Sequence, residues 1–146
     1  MKIKTLKEEE MAKVFEKSGY KDCAEIDFLC WNNIYEIGFS ESFFFCVFSG
    51  DTLVGVAKLK TKGKDSICYP GFYNWLSFLS VKEGFKGKGI SKILIDEMFS
   101  FIEKEKLDHL LISGYTEDGF NYLKPYLNKK AKEINLKFQD SSKVSF

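Results

Sequence analysis

From Val81 to Ser91 the chain reads Val-Lys-Glu-Gly-Phe-Lys-Gly-Lys-Gly-Ile-Ser, glycines and lysines interleaved between two apolar stretches. Those residue types suit phosphate chemistry. Glycines without Cβ let the backbone turn tightly and approach a ligand, and the free N–H groups that open a helix carry partial positive charge. Lys86, Lys88 and Lys92 add cations around that turn. The segment is built to cradle a phosphate or diphosphate.

Spacing removes the two best-known cradles. Gly84 and Gly89 stand at the P-loop separation, but Ile90 and Ser91 follow where Lys and Ser/Thr are required, so no lysine reaches a γ-phosphate from there. Gly87-Lys88-Gly89 opens like the dinucleotide fingerprint. Lys92, however, takes the place of the third glycine, where close packing of helix on strand admits no long side chain.

The cradle needs a strand before it and a helix after it. Trp75 to Leu79 is apolar enough for the strand, which Val81 closes. Ile90, Ile93, Leu94, Met98, Phe101 and Ile102 fall on one face of the following helix, with Lys92, Asp96, Glu97, Ser100, Glu103 and Lys104 opposite. Asp108 to Ser113 then reads as a buried strand that a helical crossover lays parallel to the first. Upstream, Phe44–Phe48 and Thr52–Lys60 flank Ser49-Gly50-Asp51 as a hairpin. Phe43, Phe44, Phe45 and Phe48 belong to its sheet faces. Lys2 to Leu6 suits a first strand. Thr5 with Glu8 forms a capping-box pattern for a helix through about Lys17, with Met11, Val14 and Phe15 on one face. Asp22 with Glu25 repeats that signature for a second helix ending at Gly38. Thr61 to Gly71 is a longer connection and a candidate functional loop. Near the end, Tyr122 and Tyr126 are one turn apart and share a side if helical, the helix beginning near Asn121 with Pro125 in its first turn or kinking at Pro125.

Lys86-Gly87-Lys88-Gly89-Ile90-Ser91 resembles the pyrophosphate loop of the GNAT family of N-acetyltransferases, Arg/Gln-x-x-Gly-x-Gly/Ala, with Lys86 and Ser91 keeping a cationic donor and a small residue. The hairpin and Gly55 in the strand before the loop's strand extend the likeness, which covers roughly Met1 to Asp140. The resemblance implies an α/β GNAT-like fold over residues 1–146 as a single domain: a mixed, mostly antiparallel sheet with a parallel splayed pair and helices on both faces. It implies acetyl-CoA as donor. Lys86, Gly87, Lys88, Gly89, Ile90 and Ser91 then hold the diphosphate, and the backbone of Leu79 and Val81 pairs with the pantetheine arm. An N–H near Leu79 faces the thioester oxygen, a preorganised donor for the oxyanion. The acceptor is an amine of a small molecule or a protein, attacked directly, since no cysteine is placed to carry the acyl group.

A primary amine is protonated at neutral pH, so a base must take a proton. Tyr73 to Val81 contains no Asp or Glu. Glu83 lies in the turn and reads as structural, which leaves Glu25, Asp27, Glu36 or a water chain. For the departing thiolate the resemblance implies a tyrosine, Tyr126 by family spacing or Tyr122. Two other classes stay open: a non-catalytic acyl-CoA-binding module and a protein-interaction scaffold.

The composition fits. The chain has 146 residues, 45% hydrophobic and 16% aromatic, with fifteen phenylalanines, enough for a bulky core. Lys plus Arg number 22 against 21 Asp plus Glu, so no net charge draws it to nucleic acid or an anionic membrane. No apolar stretch has membrane-spanning length and Met1-Lys2-Ile3-Lys4-Thr5 does not open a signal peptide, so a cytoplasmic location is expected. Cys23, Cys30, Cys46 and Cys68 form no Cys-x-x-Cys pair, and the lone His109 reads as structural; no metal site is expected. A homodimer is compatible with this reading.

Overall fold

The computed structural model describes residues 1–18, 37–63, 66, 69–113 and 118–140. Its elements are β1 (Lys2–Lys7), α1 (Glu8–Ser18), β2 (Glu41–Ser49), β3 (Thr52–Thr61), β4 (Trp75–Val81), α2 (Ile90–Lys104), β5 (His109–Ile112), α3 (Lys124–Glu133) and β6 (Lys137–Asp140). The six strands form one sheet in sequence order. Pairing is antiparallel from β1 to β4 and parallel for β4–β5. A second parallel pair, β5–β6, goes beyond the expected pattern. It follows from α3, a crossover that returns the chain to the same end of the sheet.

Side-chain alternation on the hairpin builds two cores. Phe44, Cys46 and Phe48 pack with Met11 and Phe15 of α1 on one face. Phe45 and Val47 pack with Ile90, Leu94, Met98 and Leu127 on the other, under α2 and α3. Phe43 packs on Phe101 with tilted rings, their centroids 4.6 Å apart. On α2, Ile95 and Phe99 are buried, whereas Ile93 and Phe101 are only partly so. The apolar band is therefore wider than one sheet-facing stripe, because α3 packs on α2 as well.

Two helix starts differ from expectation. Thr5 lies inside β1 opposite Phe45, so the expected pairing with Glu8 does not cap α1. Glu10 does so instead, its Oε1 accepting the Lys7 N–H at 3.1 Å. The last helical segment does not begin at Asn121. A wide π turn spans Gly119–Leu123 and runs directly into α3, with Pro125 as the second residue of α3. The second helix expected after Asp22, with Glu25, Asp27 and Glu36, lies outside the described residues except at its end. The Cys46 thiol is buried outside any disulfide, with its Sγ 3.6 Å from Met11 Sδ. Among the described residues no helix is long and apolar enough to cross a membrane.

Candidate active site

Gly84, Gly87 and Gly89 all have positive φ, at 88°, 77° and 79°. A Cβ built on any of them meets nothing within 4 Å. Conformation alone, not crowding, therefore calls for glycine in this turn. Gly89 caps α2 in the left-handed region without a side-chain cap, and its carbonyl accepts the Ile93 N–H at 3.2 Å. The N–H groups of Ile90, Ser91 and Lys92 in that first turn have no intrahelical acceptor.

Gly55 fixes how this helix sits. Its Cβ would stand 2.6 Å from Ile90 Cγ2 and 3.3 Å from Leu94 Cδ1, so only glycine lets α2 lie this close on β3. Ile90 is consequently buried at the floor while the turn around it is exposed.

The second half of the site is backbone. The Lys82 N–H bonds the Val54 carbonyl at 2.8 Å, and Ser80 stands opposite Val56. In an antiparallel ladder alternate residues bond the same neighbour, so Ser80 and Lys82 bond β3 while the N–H and C=O of Leu79 and Val81 point to the other edge. There β5 has moved away. The β4–β5 ladder holds a single pair, Trp75↔Leu111, beside the bond from Leu111 N–H to Asn74 O at 3.0 Å.

A cavity of about 840 Å³ opens along that edge and runs to the glycine turn. Leu79, Val81, Lys86, Gly87, Gly89, Ile90 and Ser91 line it, together with Tyr122. Lys88 does not; its ammonium lies 5.2 Å from the Phe85 ring centroid. Lys86 lies 3.2 Å from Glu83, which gives that carboxylate a partner at the exposed surface. The donor set suits a diphosphate and an amide-bearing arm: open N–H groups, cations and an unpaired strand edge.

The sequence profile of the acetyltransferase (GNAT) family matches residues 4–121. The chain belongs to that family. No curated protein matches it. Among solved structures, the ligand-free aminoglycoside antibiotic 6'-N-acetyltransferase of Acinetobacter haemolyticus is similar at 13% identity and a TM-score of 0.50. That match covers 100% of this chain and 96% of that one, and it shows the shared GNAT fold.

Within this GNAT domain the two tyrosines part company. Tyr122 is exposed and lines the cavity. Tyr126 is not among the lining residues; its hydroxyl donates to Asp96 of α2. That bond, with burial and the charges of Asp96 and Glu133, pushes the Tyr126 hydroxyl up to about 12. The two stand one turn apart across the junction of the π turn and α3, with different surroundings. Ser80, Phe85, Lys92 and Asp118 also line the cavity. Of these, sequence reading singled out only Lys92. Asp118, the carboxylate among the described lining residues, belongs to no motif in the sequence.

His109 sits at the opposite end of the sheet and is occupied structurally. Its Nε2 accepts the Tyr73 N–H at 2.9 Å, so Nδ1 carries the proton and donates to Asp108 Oδ1 at 2.7 Å. Among the described residues no group of three or more His, Cys, Asp or Glu could hold a metal.

Proposed function

We propose that this chain is an N-acetyltransferase that moves an acetyl group from acetyl-CoA to an amine of a small molecule or a protein. The observation that carries the reading is the outward-facing backbone of Leu79 and Val81, beside a β5 that has splayed away, in one cavity with the glycine turn. When bound, the coenzyme supplies an activated thioester. The Leu79 and Val81 edge pairs with the arm's amides as a missing strand would, and the Leu79 N–H is the preorganised donor for the thioester oxygen. Lys86, Lys92 and the first N–H groups of α2 hold the diphosphate. Tyr122, the tyrosine on the cavity, gives its proton to the departing sulfur, and the proton lost by the attacking nitrogen leaves through water, which restores the phenol.

The test is thermal unfolding with acetyl-CoA beside CoA, ATP and NAD, followed by turnover on an amine panel. A ligand at about a hundred times its dissociation constant adds roughly 2.7 kcal/mol, several degrees for a domain of this size. A shift confined to the CoA species with turnover supports the proposal. A shift without turnover on any amine favours a binding module, and no shift sends the search to a protein partner. Tyr122→Phe is expected to slow transfer at unchanged acetyl-CoA affinity.

A further inference from the structure

Tyr126 reaches across from α3 and touches α2 twice. Its hydroxyl donates to Asp96, and its ring lies under the Lys92 ammonium, 5.2 Å from centroid to Nζ. Lys92 and Asp96 are four apart and so share one face of α2. Asp96 is itself held, with Lys130 at 3.5 Å, and Lys130 lies 3.9 Å from Glu133 of its own helix. The ring is thus anchored at its hydroxyl end by a charged network between the two helices, and its face is presented to Lys92. Lys92 lines the cavity immediately after Ser91, where the N–H groups of α2 are free.

An exposed lysine is a point charge on a flexible stem, and what limits its wandering decides how well it meets a ligand. A tyrosine ring face attracts an ammonium through its quadrupole. We propose that Tyr126 is a positioning residue that holds the Lys92 ammonium at the cavity for the diphosphate of the coenzyme and takes no part in proton transfer. This rests on the acetyl-CoA reading above. The arrangement gives the two tyrosines separate tasks: Tyr122 faces the cavity itself, and Tyr126 acts on it through Lys92. A hydroxyl committed to Asp96 and pushed up to about 12 is also a poor proton donor to a thiolate.

The test combines a mutant cycle with a spectroscopic readout. Tyr126→Leu is expected to weaken acetyl-CoA binding about two- to fivefold with little change in kcat, the size of an exposed cation–π contact. Tyr126→Phe, which keeps the ring, restores most of that affinity. In a Lys92→Gln background the Leu substitution is expected to cost no further affinity. In the free protein, the Lys92 ε-methylene protons are expected upfield under the ring current, and to return to ordinary positions in Tyr126→Leu alone. An equal loss of affinity with and without Lys92 overturns the proposal, as does an unmoved ε-methylene signal. A tenfold fall in kcat for Tyr126→Phe at unchanged affinity makes Tyr126 the acid and overturns it too. Wild-type protein that binds no acetyl-CoA sinks the donor reading and this proposal together, whereas the other failures sink only the role of Tyr126.

Discussion

Gly89 separates the cost of building the turn from the energetics of filling it. At φ 79° and ψ 9° it caps α2, and a Cβ there would meet nothing within 4 Å. Replacement therefore brings a backbone penalty without a clash. The left-handed region costs an ordinary L-residue roughly 1–2 kcal/mol, and Asn or Asp less because each visits it more readily. Gly89→Ala is expected to lower the unliganded melting temperature by about 2–8 °C at roughly 2–4 °C per kcal/mol. Gly89→Asn should lose less. Asn and Asp are near-isosteric, so their difference in acetyl-CoA affinity reports charge. A carboxylate brought to about 4 Å of a phosphate is opposed by roughly 1 kcal/mol in water and roughly 4 kcal/mol near a protein surface. Calorimetric titration at low salt should find Gly89→Asp at least about fivefold weaker than Gly89→Asn, with the gap narrowing as salt screens it. Equal affinities at low salt would refute the placement of phosphate over this turn. An unchanged melting temperature for Gly89→Ala would refute the conformational argument separately.

Gly55→Ala forces Ile90 away from a 2.6 Å contact and is expected to cost about 1–3 kcal/mol in urea unfolding. Trimming Ile90 to Ala in the same chain removes that Cγ2, so the double variant should cost less than the sum of the two single losses, and additive losses would contradict the contact. Tyr126, pushed up to about 12 by its bond to Asp96, holds its proton more tightly folded than unfolded; the stabilisation is full below 10.0 and fades as pH rises through about 12. Phenolate absorbance should show a late-titrating tyrosine that Tyr126→Phe removes. The hydrogen bond to His109 holds the Asp108 carboxyl below its ordinary 3.8. Its stabilisation is therefore complete above that value and lost as pH falls through the lowered one. Wild type and Asp108→Asn should converge in acid unfolding curves, and a constant difference down to the lowest pH would count against the Asp108–His109 pair.

Much of the frame was legible because its signals are local. The hairpin is written in alternation around Ser49-Gly50-Asp51, and the glycine turn in residues that tolerate positive φ. The α2 crossover required β5 parallel to β4, and that is how they pair. The expectations that failed were also local, but undetermined by their own residues. Thr5 with Glu8 has a capping pattern, yet Thr5 gains more as part of a strand laddered to β2, and Glu10 takes the cap. Tyr122 and Tyr126 have helical spacing, and only their packing shows that the first lines the cavity while the second bonds Asp96.

What the sequence by itself determined is the family and the glycine turn, since Gly84, Gly87 and Gly89 answer to φ values that a short stretch of backbone sets for itself. What only the tertiary structure decided is contact between distant segments. The phase of β4 against β3 turns Leu79 and Val81 outward, and α3 brings Tyr126 over Lys92. Lys58 and Lys60 are buried in β3, at 2% and 7% exposure, with Lys60 Nζ donating to Ser42 Oγ at 2.6 Å. A lysine in a strand reads as a solvated side chain until the packing above the sheet covers it. Each of these depends on which surfaces meet, and no periodicity within a single segment encodes that meeting.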